Sequence, residues 1–122
     1  MANITIQCKI WLELDGTMFF GRGRLEILRG IMEYGSLAET ARHLNMSYRA
    51  AWGRLKSSES RLGQKLTEKI PAAGRGQHLV LTPLGRALVA EFQSLEEQVA
   101  QFLAVQQRDW NQKLALRGDY AQ

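Results

Sequence analysis

The chain has 122 residues, 45% of them hydrophobic and 23% charged, with one cysteine and a formal net charge of +4. That length holds one compact domain plus an appended helix or hairpin, and is expected to leave no room for a full-sized sensory domain. The composition excludes wholesale disorder, an internal disulfide and a thiolate-rich zinc site. No apolar run reaches the roughly 18–20 residues of a membrane span and no signal-peptide pattern opens the chain, so the expectation is a cytoplasmic protein with no membrane partner.

Residues 4–14 alternate: Ile4, Ile6, Cys8, Ile10, Leu12 and Leu14 share one parity, and Thr5, Gln7, Lys9 and Glu13 the other. Period two predicts a half-buried strand, with Cys8 as a small core residue. Asp15-Gly16 then predicts a tight turn into a second strand through Phe20, so residues 1–22 read as an N-terminal β-hairpin. A lone hairpin is marginal in water and must pack on something. It has three open roles: extending another sheet, bracing a dimer, or docking a partner.

Leu25, Leu28, Ile31 and Met32 fall at helical spacing before Gly35, which suits a left-handed stop. Ser36-Leu37-Ala38-Glu39 has the form of a capping box, with the serine accepting from the Glu39 amide while Glu39 reaches back. Leu37, Ala38, Ala41 and Leu44 form the apolar stripe of the short helix that follows. Asn45-Met46 turns the chain, and Ser47 caps a helix from Tyr48 to about Arg61, with Ala51, Leu55 and Leu62 inward. Residues 66–70 and 77–81 alternate again around Pro71-Ala72-Ala73-Gly74-Arg75-Gly76, a second hairpin with a glycine-rich basic tip. Two short helices, a tight turn and a following hairpin make a winged helix-turn-helix over residues 23–82.

Thr82-Pro83 opens a last helix of about 25 residues, assigned to 83–109. Leu88, Phe92, Leu95, Val99 and Phe102 recur at alternating spacings of four and three, the seam of a short coiled coil, and predict a homodimer. Residues 110–122 show no period and read as a tail. The fold class is therefore mainly α with small β elements: a winged helix-turn-helix with an N-terminal β-hairpin and a long C-terminal dimerisation helix.

Charge is concentrated where function is expected. Residues 36–86 carry nine basic residues against Glu39, Glu59 and Glu68, a surplus of +6 that leaves −2 for the remainder. A basic block in a near-neutral chain is the footprint of a phosphate-backbone binder. Base edges in a major groove are met by the first turn of a recognition helix, here Ser47, Tyr48 and Arg49. Arg49 has the geometry to take guanine in bidentate fashion. Trp52 either faces the groove or fills a gap against the preceding helix. Gly53 costs roughly 1 kcal/mol against alanine in mid-helix, which predicts close approach of another backbone there. Arg54, Lys56 and the wing-tip Arg75 are phosphate or minor-groove candidates. The expected DNA-binding set is Ser36, Ser47, Tyr48, Arg49, Trp52, Gly53, Lys56 and Arg75.

Gly35-Ser36-Leu37, residues 41–47, Leu62-Gly63 and Leu81-Thr82-Pro83-Leu84-Gly85 resemble the N-terminal winged-helix domain of LysR-type regulators. Ser47-Tyr48-Arg49-Ala50-Ala51-Trp52 with the glycine-rich wing resembles, more specifically, the ModE family of molybdate-responsive transcriptional regulators. The resemblance covers roughly residues 21–105. It implies a dimer held by the long helix on a palindromic operator in double-stranded DNA. Full-length members carry oxyanion-binding domains after that helix. Only a short tail follows here, so neither molybdate binding nor another cofactor is expected from this chain.

Catalysis is not expected: His43 and His78 lie on different elements, Cys8 sits in a strand, and neither a phosphate loop nor a metal-spaced ligand set occurs. The alternative to a sequence-specific DNA-binding regulator is a winged-helix adaptor, or a dimerising module that modulates another regulator. The basic block weighs against a purely protein-binding role. RNA recognition would favour aromatics exposed on a sheet, whereas these cluster in the first hairpin and in helices.

Overall fold

The computed structural model describes residues 2–72 and 77–115. In chain order the elements are β1 (Trp11–Leu14), β2 (Thr17–Gly21), α1 (Arg22–Tyr34), α2 (Leu37–His43), α3 (Tyr48–Leu62), β3 (Thr67–Pro71), β4 (Gln77–Leu81) and α4 (Pro83–Leu114). The chain divides into two compact units, Ile10–Phe92 and, on the other side of the division, residues 2–9 with 93–115.

The larger unit holds the helix-turn-helix, the wing and the first hairpin. Asp15 and Gly16 both take positive φ (51° and 81°), the turn that matches strand twist in a two-residue hairpin. β1 pairs antiparallel with β2 from Trp11–Gly21 to Leu14–Thr17, with a bulge between Leu12 and Glu13. β3 and β4 form a separate two-stranded sheet, so the first hairpin does not extend the wing. Instead β2 drives Phe19 and Phe20 into the core against α1 and α3. The strand is shorter than the alternation over 4–14 predicts, because β2 supplies only five residues of partner. Cys8 is exposed rather than a core residue.

The core joins Phe19, Phe20, Leu25, Ile27, Leu28, Ile31, Leu37, Ala41, Ala51, Leu55, Leu66, Leu81, Val89 and Phe92. Its exact membership corrects three periodic readings. On α1, Met32 is 57% exposed and Ile27 is buried in its stead. The reason is that α2 docks on the Gly30 side: a Cβ at Gly30 would run into the Thr40 side chain, so the buried face turns towards Ile27, Gly30 and Ile31. On α2, Ala38 is exposed and Thr40 is buried, its hydroxyl satisfied by donating to the Ser36 carbonyl at 2.8 Å. On α3, Leu62 is only half-buried, while Ser58 and Glu59 are buried.

Both buried polar groups are bonded, as burial demands. Ser58 donates to the Phe19 carbonyl, tying α3 to β2. The Glu59 carboxylate accepts from the amides of Leu66 (2.8 Å) and Thr67 (3.3 Å), where β3 begins. The wing is anchored at its other strand too, since the Leu79 amide donates to the Gly35 carbonyl at 2.9 Å. Gly35 stands there at φ 72°, and a Cβ would collide with the His78 ring.

The helix α4 is longer than expected, 32 residues, and includes Trp110 to Leu114 of the stretch read as a tail. In the smaller unit, residues 2–9 run beside its far part, though not as a strand. Asn111 accepts from the Ile4 amide at 2.7 Å and donates to the Ile4 carbonyl at 2.9 Å, and Gln107 accepts from the Ile6 amide at 2.8 Å. Side-chain amides thus satisfy backbone groups there that a neighbouring strand would otherwise bond.

Candidate nucleic-acid interface

Two capped helix starts frame the interface. Ser36 accepts from the Glu39 amide at 3.0 Å and opens α2, and Ser47 accepts from the Ala50 amide at 3.0 Å and opens α3. The reciprocal half of the expected capping box is absent: the Glu39 carboxylate bonds Arg42 at 2.8 Å. That hydrogen bond and the guanidinium charge of Arg42 hold the Glu39 carboxyl below its ordinary range, and the same bond and the Glu39 charge raise Arg42. The His43 ring stacks on Tyr34, with centroids 4.0 Å apart and planes 6° from parallel, joining the ends of α1 and α2.

The recognition helix presents one continuous outward stripe. Ala51 and Leu55 face the core, and Tyr48, Arg49, Trp52 and Gly53 are exposed on the other side. Trp52, for which the sequence leaves two placements open, is 48% exposed. The Lys56 ammonium lies 5.9 Å from the Trp52 ring centroid. Gly53 corrects an expectation, since among the described residues nothing lies within 4 Å of the Cβ position there.

Lys56 is less free than its sequence position suggests. Its ammonium lies 3.2 Å from the buried Glu59 carboxylate, which neutralises part of its charge. Arg24, which sequence reasoning passed over, backs the helix from behind. Its Nε donates to the Arg54 carbonyl at 3.2 Å, and partial burial together with the Arg54 charge pulls its pKa below the ordinary value. Glu59 was likewise missed, because a lone glutamate among serines on a basic helix gives no local sign of burial. Arg75, at the wing tip, lies outside the described residues.

The seam on α4 divides in two. Phe92 is 1% exposed and packs edge-to-face on Phe20 with centroids 5.2 Å apart; Leu88 is half-buried against the same core. Leu84 and Leu88 pack on their own domain, the reading a helix lying on that body allows for them, whereas the burial of Phe92 corrects its reading as a free dimer contact. Leu95 and Phe102 remain exposed, at 38% and 62%, and Val99 is intermediate. Among the described residues no group of three or more His, Cys, Asp or Glu is placed to hold a metal ion, and no helix is long and apolar enough to cross a membrane.

Comparison with known proteins agrees with this geometry. Residues 23–86 match the family of bacterial regulatory helix-turn-helix proteins, lysR family. Two molybdenum-pterin-binding proteins of Rhodobacter capsulatus, MopB and MopA, are each 31% identical, over 75% and 77% of this chain. The molybdenum transport protein ModE of Azotobacter vinelandii is 29% identical over 79% of it. The chain spans about a third of the length of these relatives (34%, 36% and 33%). Among solved structures, the CbnR_DBD–DNA complex superposes with a TM-score of 0.52 at 22% identity, covering 77% of this chain and 97% of that one. The BenM_DBD/benA site 1 DNA complex gives 0.54 at 22% identity, covering 70% and 91%. Both share the winged-helix fold. The chain belongs to the lysR family of bacterial regulatory helix-turn-helix proteins, and its helix-turn-helix domain is ModE-like.

Proposed function

We propose that the chain is a sequence-specific regulator that binds a palindromic operator in double-stranded DNA as a homodimer. The observation that carries this reading is the outward stripe Tyr48, Arg49, Trp52 and Gly53 at the start of a serine-capped helix. A helix entering the major groove meets base edges with those positions, while Ser36 and Ser47 stand at helix N-termini suited to phosphate. Arg49 is the base-reading group, and Arg75 contacts the backbone or minor groove from the wing. The dimer surface is the far part of α4, where Leu95, Val99 and Phe102 continue an apolar seam beyond the residues taken by the core.

The relatives named for molybdenum-pterin binding and molybdenum transport support a role in molybdenum-related regulation. Molybdate is expected to leave the DNA affinity of this chain unchanged, and a clear shift would overturn that expectation. Selection of bound duplexes from a random pool tests the reading directly: a palindromic consensus is expected, and recovery of unselected sequence would overturn specificity. On the selected site, Arg49→Ala should cost about 1–3 kcal/mol at one base position and leave binding to random duplex nearly intact. Equal loss on both would reduce Arg49 to a phosphate contact.

A further inference from the structure

Between α3 and the wing lies an open cleft of about 510 Å³. Lys56, Lys65 and Lys69 line it with Thr67, Leu79 and Thr82, and Glu68 is its single acidic wall residue. Several hydrogen bonds tie its walls together. On one side the buried Glu59 carboxylate accepts from the amides of Leu66 and of the lining residue Thr67. On the other side the Leu66 carbonyl accepts from the Thr82 amide at 2.9 Å, and the Lys65 carbonyl accepts from the Thr82 hydroxyl at 2.9 Å. Lys69 pairs with Leu79 across the sheet, so a cation and an apolar side chain stand side by side on the wing.

The three ammonium groups are not equivalent. Lys56 is held 3.2 Å from Glu59, whose side chain is 8% exposed, and has its charge partly cancelled within the protein. Lys65 and Lys69 are both exposed, and among the described residues neither has a carboxylate partner. A duplex whose base edges meet the start of α3 must carry a sugar-phosphate strand along the flank of that helix, towards the wing. We propose that the cleft between α3 and the wing seats a DNA phosphodiester, with Lys65 and Lys69 supplying the charge and Glu59 fixing the wing strand that carries Lys69 against the recognition helix. This rests on the DNA-binding reading above, and it moves the phosphate contact from Lys56, the residue its sequence position favours, to two lysines that position does not single out.

The test is the salt dependence of binding by the full-length protein, measured by fluorescence anisotropy on a selected duplex and on a random one. Each phosphate contact contributes about 0.9 to the slope of log affinity against log salt. Lys65→Ala and Lys69→Ala should each lower the slope by about 0.9 on both duplexes, and the double variant by about 1.8. Lys56→Ala should lower it by clearly less. Both lysines are exposed, so unchanged melting curves will show that the variants are folded. A double variant that still binds with the wild-type slope overturns the seat while leaving the DNA-binding reading intact. A wild-type protein that binds neither duplex overturns both.

Discussion

Phe92 of α4 meets Phe20 of β2 edge-to-face, with ring centroids 5.2 Å apart and planes at 80°, and both rings are buried. One residue of the first hairpin and one of the long helix thus close the core of the helix-turn-helix unit from opposite ends of the sequence. Aromatic pairs in this arrangement are attractive beyond their buried area. The hairpin, for which sequence reasoning left three roles open, braces the DNA-binding unit through this contact.

Phe92→Ala should therefore destabilise the fold by about 3–5 kcal/mol, the range for emptying a buried phenylalanine site. Phe102→Glu, on a ring that is 62% exposed, should leave folding almost unchanged and convert the proposed dimer to a monomer. Denaturant unfolding and sedimentation read the two effects separately. If Phe92→Ala merely dissociates an otherwise stable protein, the core assignment fails.

Gly53 faces open space in mid-helix. Gly53→Ala should raise the stability of the free protein by up to about 1 kcal/mol, the usual helix-propensity difference. If DNA comes as close to α3 as the exposed stripe implies, the same change should weaken duplex binding. Thermal melting and anisotropy on one preparation check both signs, and a variant that gains stability and affinity together would remove Gly53 from the interface.

Asn111 grips the Ile4 backbone with both ends of its amide. A net contribution of about 1 kcal/mol per hydrogen bond predicts that Asn111→Ala speeds amide exchange at Ile4 by roughly an order of magnitude. Exchange in α3 should be unaffected. Unchanged protection at Ile4 would show that residues 2–9 are held by other contacts.

The Glu39–Arg42 pair carries a pH dependence of defined sign. Because the folded carboxyl titrates below its ordinary range, its stabilisation is complete above the unfolded value, about 4.3, and is lost as pH falls through the lower folded value. The melting-temperature difference between wild type and Glu39→Gln should shrink through that acid window and stay constant towards neutrality. The pair is solvent-exposed, so the difference will be small. A gap that persists at the acid extreme would show that the glutamate acts by something other than charge.

Much of this was legible in the residues themselves. The serine caps at Ser36 and Ser47, the Asp15-Gly16 turn, the proline-opened α4 and the two wing strands all depend on chemistry within a few neighbouring positions, and each stands where the sequence places it. The basic block and the outward stripe of α3 followed from composition and helical phase. What local pattern could not decide was which of two plausible faces meets the rest of the chain. Periodicity locates a stripe to within about half a turn. The docking of α2 at Gly30 then chose Ile27 over Met32, and the arrival of Phe20 claimed Phe92 for the core.

Polar burial was hidden for the same reason. Glu59 reads as an ordinary surface glutamate until β3 brings the Leu66 and Thr67 amides to it from seven and eight residues away. Cys8 reads as core until residues 2–9 are seen held by Gln107 and Asn111 about a hundred positions later. Length and charge by themselves located a basic block within residues 36–86 of this chain. Tertiary structure decided which charges are paired, since Lys56 lies 3.2 Å from the buried Glu59 carboxylate while, among the described residues, Lys65 and Lys69 have no carboxylate partner, and a charge count cannot distinguish the two.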